Sequence, residues 1–220
     1  MRGTGLLLVL CAGGLVGTPH AARADGAPGD TSRLSRVTLL ADVGYSFPVG
    51  GAETGTDTRD VSFGLVPLSL IAGYELPRGF RATAQFRYAL SIPTLCASAP
   101  DCEASLGHDV AGAVGIARAL PRWRRLAASL GLELGWEWFT TELSDAGVAA
   151  FRSWNGPSAR LEVFADLGGG GPWSLGPAVG VDVGMFTHFD LDTPAEQAGG
   201  STDRAVHAWP TISFRIGRRL

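Results

Sequence analysis

Between Leu126 and Phe139 the chain alternates without a break. Leu126, Ala128, Leu130, Leu132, Leu134, Trp136 and Trp138 fall on one side, and Ala127, Ser129, Gly131, Glu133, Gly135 and Glu137 on the other. A period of two belongs to a β-strand, whose successive side chains point to opposite faces. The same alternation recurs along the chain and predicts eight strands, at about 37–47, 62–75, 80–91, 108–120, 126–139, 157–167, 174–189 and 205–217. Pro177 and Pro210 each remove a ladder donor, which predicts bulges or strand ends beside them.

The connections alternate as well. Those after strands one, three, five and seven are long and polar, at about 48–61, 92–107, 140–156 and 190–204. Those after strands two, four and six are short: the Leu76-Pro77-Arg78-Gly79 turn, the Pro121–Arg124 turn and the Gly168–Gly171 run. An even number of strands joined in this way predicts an all-β fold, an eight-stranded antiparallel up-and-down barrel that closes without a loose edge. The glycine run reads as a turn and not a phosphate loop, because no helix follows it.

Alternation alone does not say which face looks outward. One face carries the large apolar residues. The other is built of Gly, Ala, Ser and Thr with sparse charges: Asp42, Arg81, Arg87, Glu133, Glu137, Arg160, Glu162, Asp166, Asp182 and Arg215. Such a face is too small and apolar for a solvent surface, so the sparse charges are expected inside a narrow barrel and the apolar face against lipid. A soluble barrel with an apolar cavity is the inverse arrangement. Inside, the charges are expected to pair across strands, Glu133 and Glu137 with Arg160 and Arg87, and Asp42 or Asp182 with Arg215. Tyr45, Phe47, Tyr74, Phe80, Tyr88, Trp136 and Trp138 fit the aromatic girdles of a transmembrane barrel. The apolar run at the N-terminus is too short to span a bilayer as a helix and no later segment approaches the ~20 apolar residues one needs, so any crossing uses strands.

Residues 1–24 read as a secretory signal peptide. Arg2 supplies the basic start, Leu6 to Val16 the apolar core, and Ala22-Arg23-Ala24 the cleavage site before Asp25. Cys11 lies within that core, but Leu10 occupies the place where a lipoprotein signal needs a small residue. Residues 25–35 then form an N-terminal periplasmic segment, 36–217 the barrel and 218–220 a C-terminal tail. Loss of Arg2 and Arg23 with the leader leaves 16 Arg against 21 Asp and Glu, a net charge of −5 with no Lys anywhere, which excludes a nucleic-acid role. The two remaining cysteines, Cys96 and Cys102, share one connection and read as a disulfide in an oxidising compartment.

Charge is sorted between the two ends. Glu53, Asp57, Asp60, Asp101, Glu103, Asp109, Glu142, Asp145, Asp190, Asp192, Glu196 and Asp203 group with the long connections, opposed by Arg59, Arg152 and Arg204. Arg78, Arg118, Arg122, Arg124 and Arg125 gather at the short turns, with Arg218 and Arg219 after the last strand. An acidic rim facing outward and a basic one facing the periplasm follow. The acids lack EF-hand spacing and read as solvated charge, so no metal is expected, nor any cofactor.

Through this order of strands and connections, residues 36–217 resemble the small eight-stranded outer-membrane barrels, the group that includes the OmpA transmembrane domain and OmpX. The resemblance implies a bacterial outer-membrane location, with outer-membrane lipid, lipopolysaccharide and the assembly machinery as partners. One departure is the ending Arg218-Arg219-Leu220, where such barrels finish on an aromatic residue; Phe214 is the nearest. No peptidoglycan-binding domain like that of full-length OmpA is expected after strand eight.

The function these features support is a monomeric barrel with a plugged interior, anchoring acidic extracellular loops for surface interaction or envelope integrity. The loops could hold an extracellular ligand. Two other readings stay open. A lipid A modifying enzyme would need His, Ser and an acid together; His188 and His207 lie near the outer rim, but neither has the Ser two residues on that lipid A deacylases carry, so no enzyme is expected. A narrow gated channel would use the interior charges as a switch. For the exported protein, N-terminal sequencing should start at Asp25. Cys96 and Cys102 should resist alkylation until reduced; two free thiols would remove the bridge.

Overall fold

The computed structural model describes residues 36–53, 56–93, 103–104, 107–121, 126–145, 148–168, 172–192, 197–201 and 204–220. The leader, the segment 25–35, Cys96, Cys102 and most of the glycine run lie outside the described residues. Eight long strands form one sheet: β1 Val37–Ser46, β2 Gly64–Glu75, β3 Phe80–Ile92, β4 Gly107–Ala119, β5 Ala127–Asp145, β6 Val148–Asp166, β7 Trp173–Phe186 and β8 Ala205–Arg219. Each pairs antiparallel with its neighbours in sequence, and β8 returns to β1 from Thr38↔Arg219 to Ser46↔Thr211. The protein is thus a closed eight-stranded antiparallel barrel, with the short turns and the start of β1 at one end and the long connections at the other.

The apolar alternation decides which residues face out. Leu70, Val114 and Val206 are 60%, 65% and 61% exposed, and Leu39, Leu68, Leu134, Leu161, Val179 and Ile212 stand on the same outer surface. The residues between them point inward: Thr38, Asp42, Ser69, Gln85, Arg87, Glu133, Glu137, Arg160, Asp182, Thr211 and Arg215 are buried. A closed ring of eight strands has an interior just wide enough for such side chains.

Three expectations from the sequence need correction. The stretch 140–156 is not a loop: β5 and β6 continue as a hairpin from Phe139↔Trp154 to Asp145↔Val148. Its Thr, Ser and Glu residues gave it a polar look, yet a polar stretch can still pair, and Thr and aromatic residues favour strands. Strand β8 runs on through Arg218 and Arg219, which pair with Leu39 and Thr38, so these residues are not a tail. Finally, the β7–β8 register passes through both prolines without a bulge, as Pro177↔Phe214 and Val181↔Pro210. On its other flank the ladder is interrupted beside each proline, after Ala178↔Phe164 and Ser46↔Thr211, and resumes beyond it with Leu167 N–H donating to the Leu175 carbonyl and with Ala208↔Val49, so only the missing N–H is skipped.

The connection after β1 folds back on the barrel. Val49–Glu53 pairs with β8 at His207↔Gly50 and with Thr56–Asp57, and a single helical turn, α1 Thr58–Val61, follows. A capping box starts that turn: the Asp57 carboxylate accepts from the Arg59 N–H at 2.9 Å, and the Asp57 N–H donates to Asp60 at 3.0 Å. The Thr58 hydroxyl donates to the Gly50 carbonyl at 2.9 Å, and Val61 is buried. Gly50 is required twice over. Its φ is +97°, and a Cβ there would strike the β8 backbone at Val206 and His207.

Candidate functional site

The inward positions of neighbouring strands sit opposite one another, so the barrel brings together charges far apart in sequence. Asp42 and Arg215 face each other across the β1–β8 seam, and an Arg215 terminal nitrogen lies 2.6 Å from Asp42. The same guanidinium reaches Glu162 at 2.5 Å, and Glu162 also receives Arg160 at 2.6 Å. Arg160 continues to Asp182 at 3.3 Å, and Arg87 reaches Asp182 at 2.8 Å. Arg87 further contacts Asp109 at 3.0 Å and Glu137 at 3.3 Å, and Glu137 bonds Nε2 of His207. One continuous ionic chain therefore crosses the interior from the closing seam to β5, with Arg87 joined to three carboxylates.

The expected partners are in part rearranged. Glu133 is directly opposite Arg160, yet that guanidinium turns to Glu162 and Asp182. Glu133 instead accepts from the Thr83 hydroxyl at 2.8 Å. Glu162, two residues from Arg160 on the same inward face, outcompetes it by adding Arg215 as a second cation. Arg81 and Asp166 stand at the turn end. Arg81 pairs with Glu75 at 2.8 Å, both about a quarter exposed, and Asp166 accepts from the N–H groups of Gly168 and Leu175, which holds the β6–β7 connection.

Two residues assigned to the rim are inside. Asp109 is buried against Arg87 because β4 already begins at Gly107, which gives position 109 the inward parity of Ala111. His207 shares the inward parity of Thr211, Ser213 and Arg215, and its ring stacks on Phe186 at 3.9 Å. A β-carbon at Gly184 would run into the His207 imidazole and the Glu137 carboxylate, so glycine leaves room for that pair. His188 is exposed, its Nδ1 3.0 Å from the Thr187 hydroxyl.

Toward the loop end the inward residues become aromatic. Phe139 lies 5.6 Å from Trp154, 6.0 Å from Trp209 and 6.5 Å from Phe186, and Phe189 packs on Trp154 at 5.4 Å. Ala52, Val61, Leu65 and Ala89 complete this buried cluster, so the folded-back first connection contributes directly to it. In the sequence only outward aromatics such as Phe47, Tyr74, Trp136 and Trp138, which are exposed, stand out as a girdle, and these inward ones receive no role. The signal was parity: Phe139 follows Glu137 by two, and Trp209 follows His207 by two.

Little space remains among the ionic groups. A cavity beside Arg87, Glu133 and Arg160 measures about 10 Å³, and another beside Glu133, Glu162 and Arg215 about 20 Å³. Each has roughly the capacity of one water molecule. No group of three or more His, Cys, Asp or Glu with metal-site geometry occurs among the described residues.

This arrangement defines a small closed barrel with a charged waist and an aromatic layer toward its loops. No family model matches the chain, and no curated protein matches it. Among solved structures it is similar to a major outer membrane protein from Thermus thermophilus, with 13% identity, a TM-score of 0.52 and coverage of 81% of this chain and 99% of that one. Neisserial surface protein A matches with 9% identity, a TM-score of 0.49 and coverage of 84% and 97%. Ail, the attachment invasion locus protein of Yersinia pestis, matches with 12% identity, a TM-score of 0.44 and coverage of 81% and 97%. At such identities the shared property is the fold.

Substituting Arg87 by Met should leave the buried Asp109 without its cation, reduce Asp182 to Arg160 and Glu137 to His207, and lower stability by about 3–5 kcal/mol. Substituting Arg81 by Ala, at the half-open Glu75 pair, should change it by less than about 1 kcal/mol. Equilibrium urea unfolding of the reconstituted barrel checks both; equal effects would mean that the ionic chain contributes no more than a surface pair.

Proposed function

We propose that this protein is an integral outer-membrane barrel whose filled interior holds surface-facing loops for interaction at the cell surface or for envelope integrity, and does not serve solute passage. The observation that carries this reading is the outer surface of the barrel. All eight strands present large aliphatic or aromatic side chains outward, from Leu39 and Val43 on β1 round to Ile212, Phe214 and Ile216 on β8. Water would meet a continuous apolar belt there, far beyond the isolated patches of soluble monomers. A bilayer is the solvent that suits it, and a closed barrel satisfies its own backbone groups within one.

The interior supports the second half of the proposal. Passage would require the aromatic layer of Phe139, Trp154, Phe186 and Trp209 to part and the Arg87 contacts to break together. The narrow gated channel is therefore the weaker reading. The lipid-modifying enzyme is weaker too, because His207 faces Glu137 and Phe186 inside the barrel, away from the lipid side.

Charge supports the orientation. Asp57, Asp60 and Asp190 are exposed at the loop end, whereas Arg78, Arg118, Arg218 and Arg219 are exposed at the turn end. Long connections outside and short turns in the periplasm are the usual arrangement of outer-membrane barrels. The loops then carry the function, as connections on rigid scaffolds commonly do.

Protein extracted from isolated outer membranes should migrate differently in gels before and after boiling, since the intact barrel resists detergent. Recovery from the soluble periplasm with no heat-dependent shift would overturn the proposal.

A further inference from the structure

The lumen is stepped from the turn end inward. Glu75, Arg81, Ser129, Asp166, Ser174 and Arg219, one each from β2, β3, β5, β6, β7 and β8, border an open vestibule of about 350 Å³. Arg81 and Ser129 also line the cavity of about 20 Å³ beyond it, and Glu133 is shared between that cavity and the one of about 10 Å³ beside Arg87. Past Arg87 the aromatic layer shuts the path, with Phe139, Trp154, Phe186 and Trp209 at most 1% exposed. Among the described residues the lumen thus opens at one end only. The space exists because β4 turns Ala111, Ala113, Gly115 and Ala117 inward between the longer side chains of β3 and β5. A β-carbon at Gly115 would strike the Leu132 carbonyl and the Glu133 side chain.

Two groups on these cavities are left open. Gln85 and Glu133 are each 8% exposed and line the cavity beside Arg87, yet Nε2 of Gln85 and Oε2 of Glu133 have no hydrogen-bond partner among the described residues. The other Glu133 oxygen accepts from Thr83. Neighbouring charges offer nothing further: Arg81 pairs with Glu75, and Arg87, Arg160, Glu162, Asp182 and Arg215 belong to the ionic chain. A buried donor and a buried acceptor left open are costly, and one water that accepts from the first and donates to the second removes that cost. Ser158 lines the same cavity and adds a third polar group.

We propose that these cavities hold a file of ordered water that enters from the turn end and stops at Arg87, one water bridging Gln85 and Glu133 and a second joining Glu133 to the vestibule. Glu133 is the hub of the file. It takes a proton from the water on one side and returns one to the water on the other, so its own charge is unchanged after each transfer. The file lies inside the barrel and does not depend on what surrounds the apolar belt.

Gln85 and Gln197 are the two glutamines of the chain, so ¹⁵N-glutamine labelling of the full barrel in detergent isolates the Gln85 amide for nuclear magnetic resonance. Its side-chain NH₂ should show a nuclear Overhauser contact to water, with the sign of a long-lived bound molecule. Lack of that contact in wild type overturns the file without recourse to any variant. Glu133→Gln, whose added amide is absent from the wild-type spectrum, keeps a hydrogen-bonding group of the same size but relays no proton. It should retain the water contact and slow deuterium exchange at the Gln85 amide about a hundred-fold, the lower range for a positioned acid–base group. Glu133→Leu should abolish the contact. Ser129→Leu, which narrows the passage from the vestibule, should slow exchange too, while His188→Ala at the loop end should leave it unchanged. Wild-type exchange in Glu133→Gln would overturn the relay, and wild-type exchange in Ser129→Leu would overturn the entrance at the turn end.

Discussion

A sheet of eight strands closed on itself leaves an interior about as wide as the side chains it contains, so every inward residue must find its partner there. That constraint shapes the rest of this molecule. The seam that closes the ring is also where Asp42 meets Arg215, and from that pair the ionic chain runs through Glu162, Arg160 and Asp182 to Arg87. Buried ion pairs add little net stability over a well-packed apolar core, but a missing member leaves a bare charge. The chain therefore acts mainly as a condition on register. A one-residue slip in any strand would turn its charges outward onto the apolar belt.

The two halves of the interior divide the work by chemistry. In the waist, three guanidinium groups are shared among carboxylates from β1, β4, β5, β6 and β7. Toward the loops, Phe139, Trp154, Phe186 and Trp209 replace charge with packed rings, and His207 joins the layers by stacking on Phe186 while bonding Glu137. The first connection adds Ala52 and Val61 to the aromatic layer through the Gly50 contact with β8 and the capped turn α1. One loop is thus tied to the barrel by its core residues. Loop and interior are coupled here through backbone pairing.

The barrel was legible in the sequence because period-two alternation is a local signal, and the fifth strand showed it over thirteen consecutive residues from Leu126. Parity placed Asp42, Arg87, Glu133, Glu137, Arg160, Asp182 and Arg215 on the face that is buried, whereas Arg81 and Asp166, given the same face, lie part-exposed at the turn end. Partner choice was not legible. Glu133 and Arg160 are true cross-strand neighbours, yet the guanidinium goes to Glu162 because Arg215 arrives there from β8. That competition depends on three-dimensional closure. Polarity misled at 140–156, where a paired hairpin was taken for a loop, and at Asp109, where an acid beside a long connection was placed on the rim although its parity was inward.

The central claim, that the apolar belt faces lipid around the whole ring, is tested most directly by single spin labels placed in turn at Leu68, Val114, Leu134, Val179 and Ile212 in vesicle-inserted protein. Accessibility to oxygen, which partitions into bilayers, is compared with accessibility to a water-soluble nickel reagent. High oxygen and low nickel accessibility at all five positions is the predicted result. Nickel accessibility like that of an exposed loop residue, on even one side of the barrel, would place that face in water and contradict the account.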